Sequence, residues 1–344
     1  MKKAAILATV ILATAFLAAC RIDTSDGGQT GGNAPEPSAV VSEDTKNDLT
    51  DSASLPEDTK EAEPMVITKA IKFNKGTVKN SVQGMSVWQG KLFQLYHTGD
   101  CNVFDLDSGS PDPIATFRLG SASDGNHANN CNFSTVHYNG NPIPLLYVVD
   151  GNSGDVMKCS VENIVEKDGK YTSERIQTLH LDQSGFAAAG YMPYWGWPSW
   201  IVGTDGEYIW LHGARYRTNR SMDAYYDENR YIITKFRLPS PDKKLVVLTV
   251  ADVVEQFTTE YDVNFTQGGT VYGKYLFYTF GTGKTDNPSA IRAWDLEAKK
   301  LLPPIDVSEV TEELEDCTVI GDRLYFITQK SNLYYIPLSS AVGK

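Results

Sequence analysis

The chain has 344 residues, of which 31 are Lys or Arg and 43 are Asp or Glu, so its formal net charge is −12. An acidic chain is a poor partner for nucleic acid, because phosphate contacts need clustered Lys and Arg. The sequence also shows no Gly-rich phosphate loop, no closely spaced Cys/His metal motif and no GxSxG nucleophile turn, so we expect neither a cofactor nor a bound metal.

The first twenty residues, MKKAAILATVILATAFLAAC, predict an export signal. Lys2 and Lys3 precede an apolar run over residues 4–16, which is too short to span a bilayer comfortably. The ending Leu-Ala-Ala-Cys resembles the lipobox of bacterial lipoproteins. That resemblance implies cleavage before Cys20 and acylation of Cys20, and hence a lipid-anchored protein in the periplasm or at the cell surface. An ordinary secretory signal or a short membrane helix is the alternative.

Residues 21–64 predict a disordered acidic linker. They contain no aromatic residue, and eleven Asp or Glu stand against three Lys or Arg. Such a segment cannot bury enough apolar surface to offset the entropy lost on ordering. No second linker interrupts residues 65–344, so we expect them to form one large domain.

A phrase recurs within this domain. NSVQGMSVWQGKLFQLY at 80–96 aligns without a gap with NFTQGGTVYGKYLFYTF at 264–280. Weaker copies begin near Asn132, near Trp197 and at Glu315, and each copy continues into further β-branched or aromatic runs bounded by turn residues. Five such copies predict an all-β fold, a five-bladed β-propeller. A two-sheet sandwich is the alternative, but a sandwich does not predict a repeated phrase.

The ends of the domain suggest how the ring closes. The last copy stops after a third run, NLYYIPL at 332–338, whereas the segment 66–73 is a strand without a partner. We expect the N-terminal strand, near Ile67, to pair with the strand near Tyr334, which removes an open sheet edge. Fourth, outer strands are predicted for the other copies: PIATFRL, ERIQTLHL, KKLVVLTV and KLLPPIDV. Short helical turns are predicted only at 250–257 and 307–314.

The Gln-Gly pair of the phrase predicts a crowded channel. The first strand of each blade lines the axis of a propeller, and Gly lets neighbouring backbones approach. By alignment, the position before that Gly is occupied by Gln83, Asn132, Trp197, Gln267 and Glu315. These polar side chains either face a ligand in the channel or satisfy buried backbone groups.

The stretch HANNCNF at 127–133 is the first candidate site outside the phrase. His127, Asn129, Asn130 and Asn132 offer donors and acceptors suited to a hydroxyl-rich ligand. They fall where a propeller places loops of its top face. The competing interpretation is that the asparagines hold turns and that His127 bonds to a backbone carbonyl.

Two further stretches are candidates for binding. FAAAGYMPYWGWPSW at 186–200 contains aromatics, Trp197 among them, that fit either a stacking platform for sugar rings or an apolar plug over the core. A polar run at 215–230 begins with Arg215 and carries four arginines, which suit an anionic group or pair with the acids of the same loop.

Catalysis needs carboxylates that face each other across a substrate. Only the fifth copy places acids at the aligned position, Glu315 and Asp316. The four cysteines after Cys20, at 101, 131, 159 and 317, fit either disulfides or buried thiols.

The Gln-Gly strands and the His-x-Asn stretch resemble the extracellular propellers of the teichoic-acid-biosynthesis-protein-C type and related phage receptor-binding platforms. The resemblance implies a cell-envelope or glycan setting and transfers no catalytic residue. We therefore expect a monomeric, membrane-anchored binding module for a surface glycan or an envelope protein. A carbohydrate-active enzyme with Glu315 or Asp316 as the acid is one alternative, and a scaffold subunit of an envelope complex is another.

Overall fold

A computed structural model describes residues 65–124, 126–150, 157–215, 229–262 and 266–342. The predicted signal, Cys20 and the acidic linker lie outside these residues. Strands dominate the described chain, and its only α-helix is the single turn α1 (Leu338–Ala341). Short 3-10 helices occupy Gly120–Asp124, Ala187–Ala189 and Val250–Asp252. Within these ranges no helix has the length and apolar character that crossing a membrane requires.

The strands form five sheets, numbered here as blades 1 to 5, and the described chain begins with β1 (Thr68–Lys72). Blade 1 contains β2 (Val82–Trp88), β3 (Lys91–Tyr96), β4 (Asp100–Asp105) and β5 (Ala115–Arg118). Blade 2 contains β6 (Cys131–Phe133), β7 (Leu146–Asp150), β8 (Lys158–Lys167) and β9 (Lys170–Leu181). Blade 3 contains β10 (Trp195–Val202), β11 (Tyr208–Arg215) and β12 (Arg230–Arg237).

Two strands follow β12 and belong to different blades. They are β13 (Leu245–Leu248) at the edge of blade 2 and β14 (Val253–Glu260) at the edge of blade 3. Blade 4 contains β15 (Thr266–Tyr272), β16 (Tyr275–Phe280), β17 (Ala290–Asp295), β18 (Lys300–Leu301) and β19 (Ile305–Asp306). Blade 5 contains β20 (Leu314–Ile320), β21 (Arg323–Thr328) and β22 (Asn332–Pro337).

The N-terminal strand closes the ring as predicted. β1 pairs antiparallel with β22, and Lys69 lies opposite Tyr334. The first strands of the five blades contact one another in the cyclic order β2, β6, β10, β15, β20 and back to β2. The protein is therefore a five-bladed β-propeller, with these five inner strands around its axis.

Apolar side chains fill the space between neighbouring blades. The buried core of the described residues falls into five clusters, and each cluster joins two adjacent blades. Phe93 and Val148, for example, pack between blades 1 and 2, while Met85 and Ile327 pack between blades 1 and 5. Because burial of apolar area is the main favourable contribution to folding, each blade depends on both of its neighbours for its stability.

Three predictions about the outer edges were wrong. KKLVVLTV contributes β13, which pairs in parallel with β9 of blade 2 instead of edging blade 3. The predicted helical turn at 250–257 is a 3-10 turn at Val250–Asp252 followed by β14, whose β-branched residues and alternating burial favour a strand. Residues 307–314 contain a turn and no helix.

KLLPPIDV was predicted as one outer strand, and it forms two separate two-residue strands, β18 and β19. Pro303 and Pro304 lie between them. Proline has no N–H to donate to a sheet, so the ladder stops on either side of the pair.

The repeated Gln-Gly phrase forms a β-bulge. The pairing of inner strands with second strands shifts register between Val82 and Gly84, between Thr266 and Gly269, and between Leu314 and Asp316. A Cβ added to Gly84 would lie 3.0 Å from the carbonyl oxygen of Ala128 in blade 2, and one added to Gly268 would lie 2.5 Å from Asp316 Oδ1. The phrase recurs because each inner strand bends where it crowds its neighbour.

The four cysteines predicted as bridges or thiols are free and buried in this structure: Cys101, Cys131, Cys159 and Cys317. Burial raises the pKa of each thiol above its ordinary value. A thiol held in its neutral form is a poor nucleophile, so these cysteines serve packing.

His212, on β11, is a buried titratable group within the core between blades 3 and 4. Its ring centroid lies 4.0 Å from that of Tyr278 and 4.6 Å from that of Trp294. Neither ring nitrogen has a hydrogen-bond partner among the described residues. Burial lowers the pKa of His212 to about 3, so the imidazole is neutral in the folded protein at neutral pH.

This burial predicts an acid-sensitive core. Between about pH 6.5 and about pH 3 the unfolded chain holds a proton on residue 212 that the folded chain does not, so His212 lowers the unfolding free energy progressively as the pH falls through that window. The change His212→Phe removes this contribution. The unfolding free energy of the variant minus that of the wild type should therefore rise by up to about 1.4 kcal/mol per pH unit below pH 6.5.

Urea titrations at several pH values measure this difference. A constant offset from repacking does not affect the slope, and His137→Phe, at an exposed position, is the matched control. A difference for His212→Phe that is flat from pH 7 to pH 4 would contradict the prediction.

Candidate functional site

The inner strands all begin on one face of the ring, called the top face below, and the bulges lie near that end of the channel. Gln83, Gln267 and Glu315 occupy the bulges of blades 1, 4 and 5. All three are almost fully buried. The side chains that the sequence placed in the channel thus lie on inner strands, as the repeated phrase requires.

Asp316 is the centre of a hydrogen-bond network that joins blades. Its Oδ2 accepts from the backbone N–H groups of Met85, at 2.9 Å, and Cys131, at 3.4 Å. Its Oδ1 accepts from the side-chain amide of Asn130, at 2.9 Å, and from the N–H of Cys317, at 2.8 Å. Burial raises the pKa of Asp316 well above its ordinary value, and the four donors pull in the opposite direction by favouring the carboxylate. With no exposed surface and four bonds to three blades, this side chain has a structural role.

Glu315 is chemically different from its neighbour. It is 2% exposed, and burial raises its pKa well above the ordinary value, with the nearby carboxylates of Glu313 and Asp316 adding to the effect. The ammonium of Lys75, from the loop that leads into blade 1, opposes this shift. Burial in turn lowers the pKa of Lys75 itself.

Glu313 lies just before β20 and connects the acids to blade 4. Its Oε1 accepts a hydrogen bond of 2.6 Å from the side-chain amide of Gln267. Burial raises the pKa of Glu313. Two carboxyl groups with raised pKa values therefore lie close together at the top of the channel, beside one lysine and one amide.

The backbone carbonyl of Gln267 collects donors from three blades. It accepts from Tyr278 Oη at 2.6 Å, from Ser199 Oγ at 3.3 Å and from Asn129 Nδ2 at 3.5 Å. Together with the acids of blade 5 and Lys75 of blade 1, polar groups from all five blades converge here. We call the six side chains of this region the mouth cluster: Lys75, Gln83, Asn129, Gln267, Glu313 and Glu315.

The HANNCNF stretch divides between the two interpretations. Asn130 and Asn132 both donate to the carbonyl oxygen of Gly269, at 2.9 and 3.2 Å, so they bind blade 2 to blade 4. Both are buried, as the structural interpretation expects. Asn129 remains partly exposed.

The alignment of Asn132 with Gln83 was wrong by about three residues. Gly84 lies beside Ala128, Asn130 and Cys131. The blade 2 residue before Asn130, which is Asn129, is therefore level with the Gln side chains. The shift arises because β6 has only three paired residues and shows no bulge.

His127 contacts a second histidine. Its ring lies edge-on to that of His97, with 4.5 Å between centroids. Burial, with a smaller contribution from the charge of His97, lowers the pKa of His127 to about 4. Among the described residues the pair forms no hydrogen bond with the mouth cluster, although both rings lie on the top face.

The aromatic stretch before and within β10 is partly plug and partly surface. Phe186, Tyr194 and Trp200 are buried, which fits the plug. Trp195 is 44% exposed, and the guanidinium of Arg215 lies over its ring at 5.6 Å from the centroid. Trp197 lies on the same strand, but its side chain is outside the described residues, as is the arginine run from 216 to 228.

Two members of the mouth cluster were missed by sequence reasoning, Lys75 and Glu313. Both belong to connections between blades, where no strand periodicity marks the direction of a side chain. The only signal was compositional, because residues 312–316 read Glu-Glu-Leu-Glu-Asp. Among the described residues, no group of three or more His, Cys, Asp or Glu side chains has the arrangement of a metal site.

Comparisons with known proteins agree with the fold and go no further. No protein-family model and no curated protein matches the chain. Three solved structures are similar at low identity. The chain covers 94% of a Myxococcus xanthus glutaminyl cyclase, with 80% of its own length, 12% identity and a TM-score of 0.42.

Hydrazine synthase of Kuenenia stuttgartiensis aligns with 72% of this chain at 14% identity and a TM-score of 0.35. The WD40 β-propeller domain of Doa1 aligns with 73% at 10% identity and a TM-score of 0.36. The chain spans only 61% and 62% of these two structures, respectively.

The Asp316 network predicts a large stability effect. Asp316→Ala leaves three backbone N–H groups and the Asn130 amide short of an acceptor in the interior. We expect the free energy of unfolding to fall by about 3 kcal/mol or more, since each buried unpaired donor costs about 1–3 kcal/mol. Chemical denaturation measures it, with Asp322→Ala, whose carboxylate is 91% exposed, as the control. Equal losses in the two variants would show that Asp316 does not hold the blades together.

Proposed function

We propose that the protein is a binding module that recognises a hydroxyl-rich ligand, a cell-surface glycan, at the mouth cluster. The observation that carries the proposal is the convergence of polar side chains from different blades on the top of the channel. Lys75 comes from blade 1, Asn129 from blade 2, Gln267 from blade 4, and Glu313 and Glu315 from blade 5. Carboxyl, ammonium and amide groups at one site supply both the donors and the acceptors that sugar hydroxyls need.

A second feature of the top face supports a saccharide. Trp195 and Arg215 form an exposed aromatic and cationic pair at the rim of blade 3. Aromatic faces stack on the apolar face of a sugar ring, and an exposed tryptophan retained beside an arginine suits such contact. The mouth cluster would supply orientation, and the rim would supply contact area.

The distribution of acids favours binding over hydrolysis. Glycoside hydrolysis uses two carboxyl groups on opposite sides of the scissile bond. In the described channel, Glu313 and Glu315 come from the same blade and lie beside each other, and Asp316 is enclosed. No acid from another blade joins the mouth cluster within the described residues.

One observation supports a second candidate function, a carbohydrate-active enzyme. The raised pKa of Glu315 would keep its carboxyl group protonated above the ordinary range, as a general acid requires. Activity that depended on protonated Glu315 would fall as the pH rises through that raised pKa. Binding without turnover separates the first candidate from this one.

A glycan array of bacterial envelope oligosaccharides tests the proposal. We expect the wild-type chain to bind members of the array, and Lys75→Met and Glu313→Gln to weaken that binding about ten-fold or more, because each loses a hydrogen bond that involves a charged group. Glu309→Gln, at an exposed position outside the channel, is the control and should bind as the wild type does.

Two results would overturn the binding proposal. One is an array without any bound member, or binding that neither mouth variant weakens. The other is release of shorter products from the same oligosaccharides by the wild type and not by Glu315→Gln, which would establish the enzyme instead.

We also propose that the protein is exported and anchored to the membrane through an acylated Cys20. The Leu-Ala-Ala-Cys ending of the N-terminal segment and the acidic, aromatic-free linker at 21–64 support this location. Incorporation of labelled palmitate into the wild-type chain but not into Cys20→Ala is the expected result in a bacterial host. Equal labelling of both chains, or labelling of neither, would count against the anchor.

A further inference from the structure

The bottom face, where the inner strands end, contains a cleft between blades 3 and 4. Its volume is about 640 Å³, within the range of small-molecule sites. The turn from β10 to β11, the turn from β15 to β16, and the residues after β17 form its rim. It lies at the end of the blades opposite the mouth cluster, and the glycan proposal makes no use of it.

The floor of the cleft is apolar. Val271 and Leu296 belong to the core between the two blades, and Trp210 lies beside them. Only small parts of these side chains reach the cleft. A ligand that covered them would exchange water for apolar contact, which favours a bound molecule with an apolar body.

Three lysines surround this floor, and two of them already pair with acids. Lys274 Nζ lies 3.4 Å from Asp295 Oδ2, and Lys299 pairs with Glu255. Lys235 is different. Its ammonium lies 3.7 Å from the ring centroid of Tyr208 and 4.9 Å from that of Trp210, and it forms no ion pair with a carboxylate of the described residues.

The arrangement holds Lys235 in place without neutralising it. Cation–π contacts position an ammonium but leave its charge and N–H groups available to an incoming anion. The lining also contains the carboxylates of Asp205 and Glu297. These disfavour a multiply charged anion and can accept hydrogen bonds from a hydroxyl or amino group of the ligand.

We propose that this cleft binds a small carboxylate with a single negative charge, an apolar body and a hydrogen-bond donor, the chemistry of an apolar 2-hydroxy or 2-amino acid. Its carboxylate pairs with Lys235. Its apolar body covers Val271, Leu296 and the edge of Trp210. Its hydroxyl or amino group faces Asp205 and Glu297.

Binding of 3-phenyllactate to the full chain tests the charge and the apolar contact together. Ligand-observed NMR titrations should give a Kd of about 1 mM or below for 3-phenyllactate, with its methyl ester and phenyl phosphate each about ten-fold weaker or more. The ester lacks the charge, and the phosphate carries too much of it. The same order should hold for phenylalanine compared with its methyl ester.

Variants of Lys235 locate the site. Lys235→Met and Lys235→Gln should each weaken 3-phenyllactate about ten-fold or more, since a charge-assisted hydrogen bond is lost, while Lys235→Arg should retain most of the affinity. The control is Lys91→Met, because Lys91 also lies over an indole ring, 5.9 Å from the centroid of Trp88, in blade 1. Urea unfolding of each variant confirms that the fold is intact.

Three outcomes would overturn the proposal: no saturable binding of 3-phenyllactate or phenylalanine up to about 10 mM, equal binding of acid and ester, or unchanged affinity in folded Lys235→Met and Lys235→Gln. The glycan proposal is independent of all three, because its variants lie on the opposite face.

Discussion

The ring depends on one buried carboxylate. Asp316 of blade 5 accepts hydrogen bonds from the backbones of blades 1 and 2 and from the Asn130 side chain, which also donates to Gly269 of blade 4. Four blades are thus joined within one hydrogen-bond network near the axis. Gly84 and Gly268 contribute by having no side chain, since a methyl group there would meet a neighbouring backbone or Asp316 itself. The apolar clusters between blades supply most of the stabilisation, and this polar centre fixes how the inner strands are aligned.

The same crowding explains what the mouth cluster can do. Below it, Asp316 is enclosed and its acceptors are used. One residue earlier, Glu315 is held in a place where its charge is disfavoured, and Glu313 and Lys75 adjust that charge from neighbouring loops. A bulge reverses the direction of adjacent side chains, so successive acids of one strand receive different environments. The structural acid and the candidate ligand-binding acid therefore arise from one local feature.

Much of the fold could be predicted from the sequence, and the reason is repetition. The recurring phrase established the inner strands, and the unmatched strands at the two ends established the closure between Lys69 and Tyr334. The edges could not be predicted, because LVVL of β13 fits the edge of either blade 2 or blade 3 by pattern alone. The site divided in the same way. Gln83, Gln267 and Glu315 followed from the repeat, whereas Lys75 and Glu313 lie in connections without periodicity. Asp316 and Asn130 were visible as polar residues, but their four-fold coordination across blades depends on long-range contacts.

The placement of β13 has a consequence for how the chain assembles. A segment made after most of blade 3 returns to pair in parallel with β9, so the second sheet borrows its outermost strand from the connection inside the third. Parallel pairing between distant segments forms slowly, because the intervening loop must close first. On a ribosome, which delivers the chain from its N-terminus, blade 2 would wait with an open edge until residue 248 has emerged, and blade 1 would wait longer still for its neighbour in blade 5. The propeller is thus a chain of deferred partnerships, in which no early sheet is finished when it is first made.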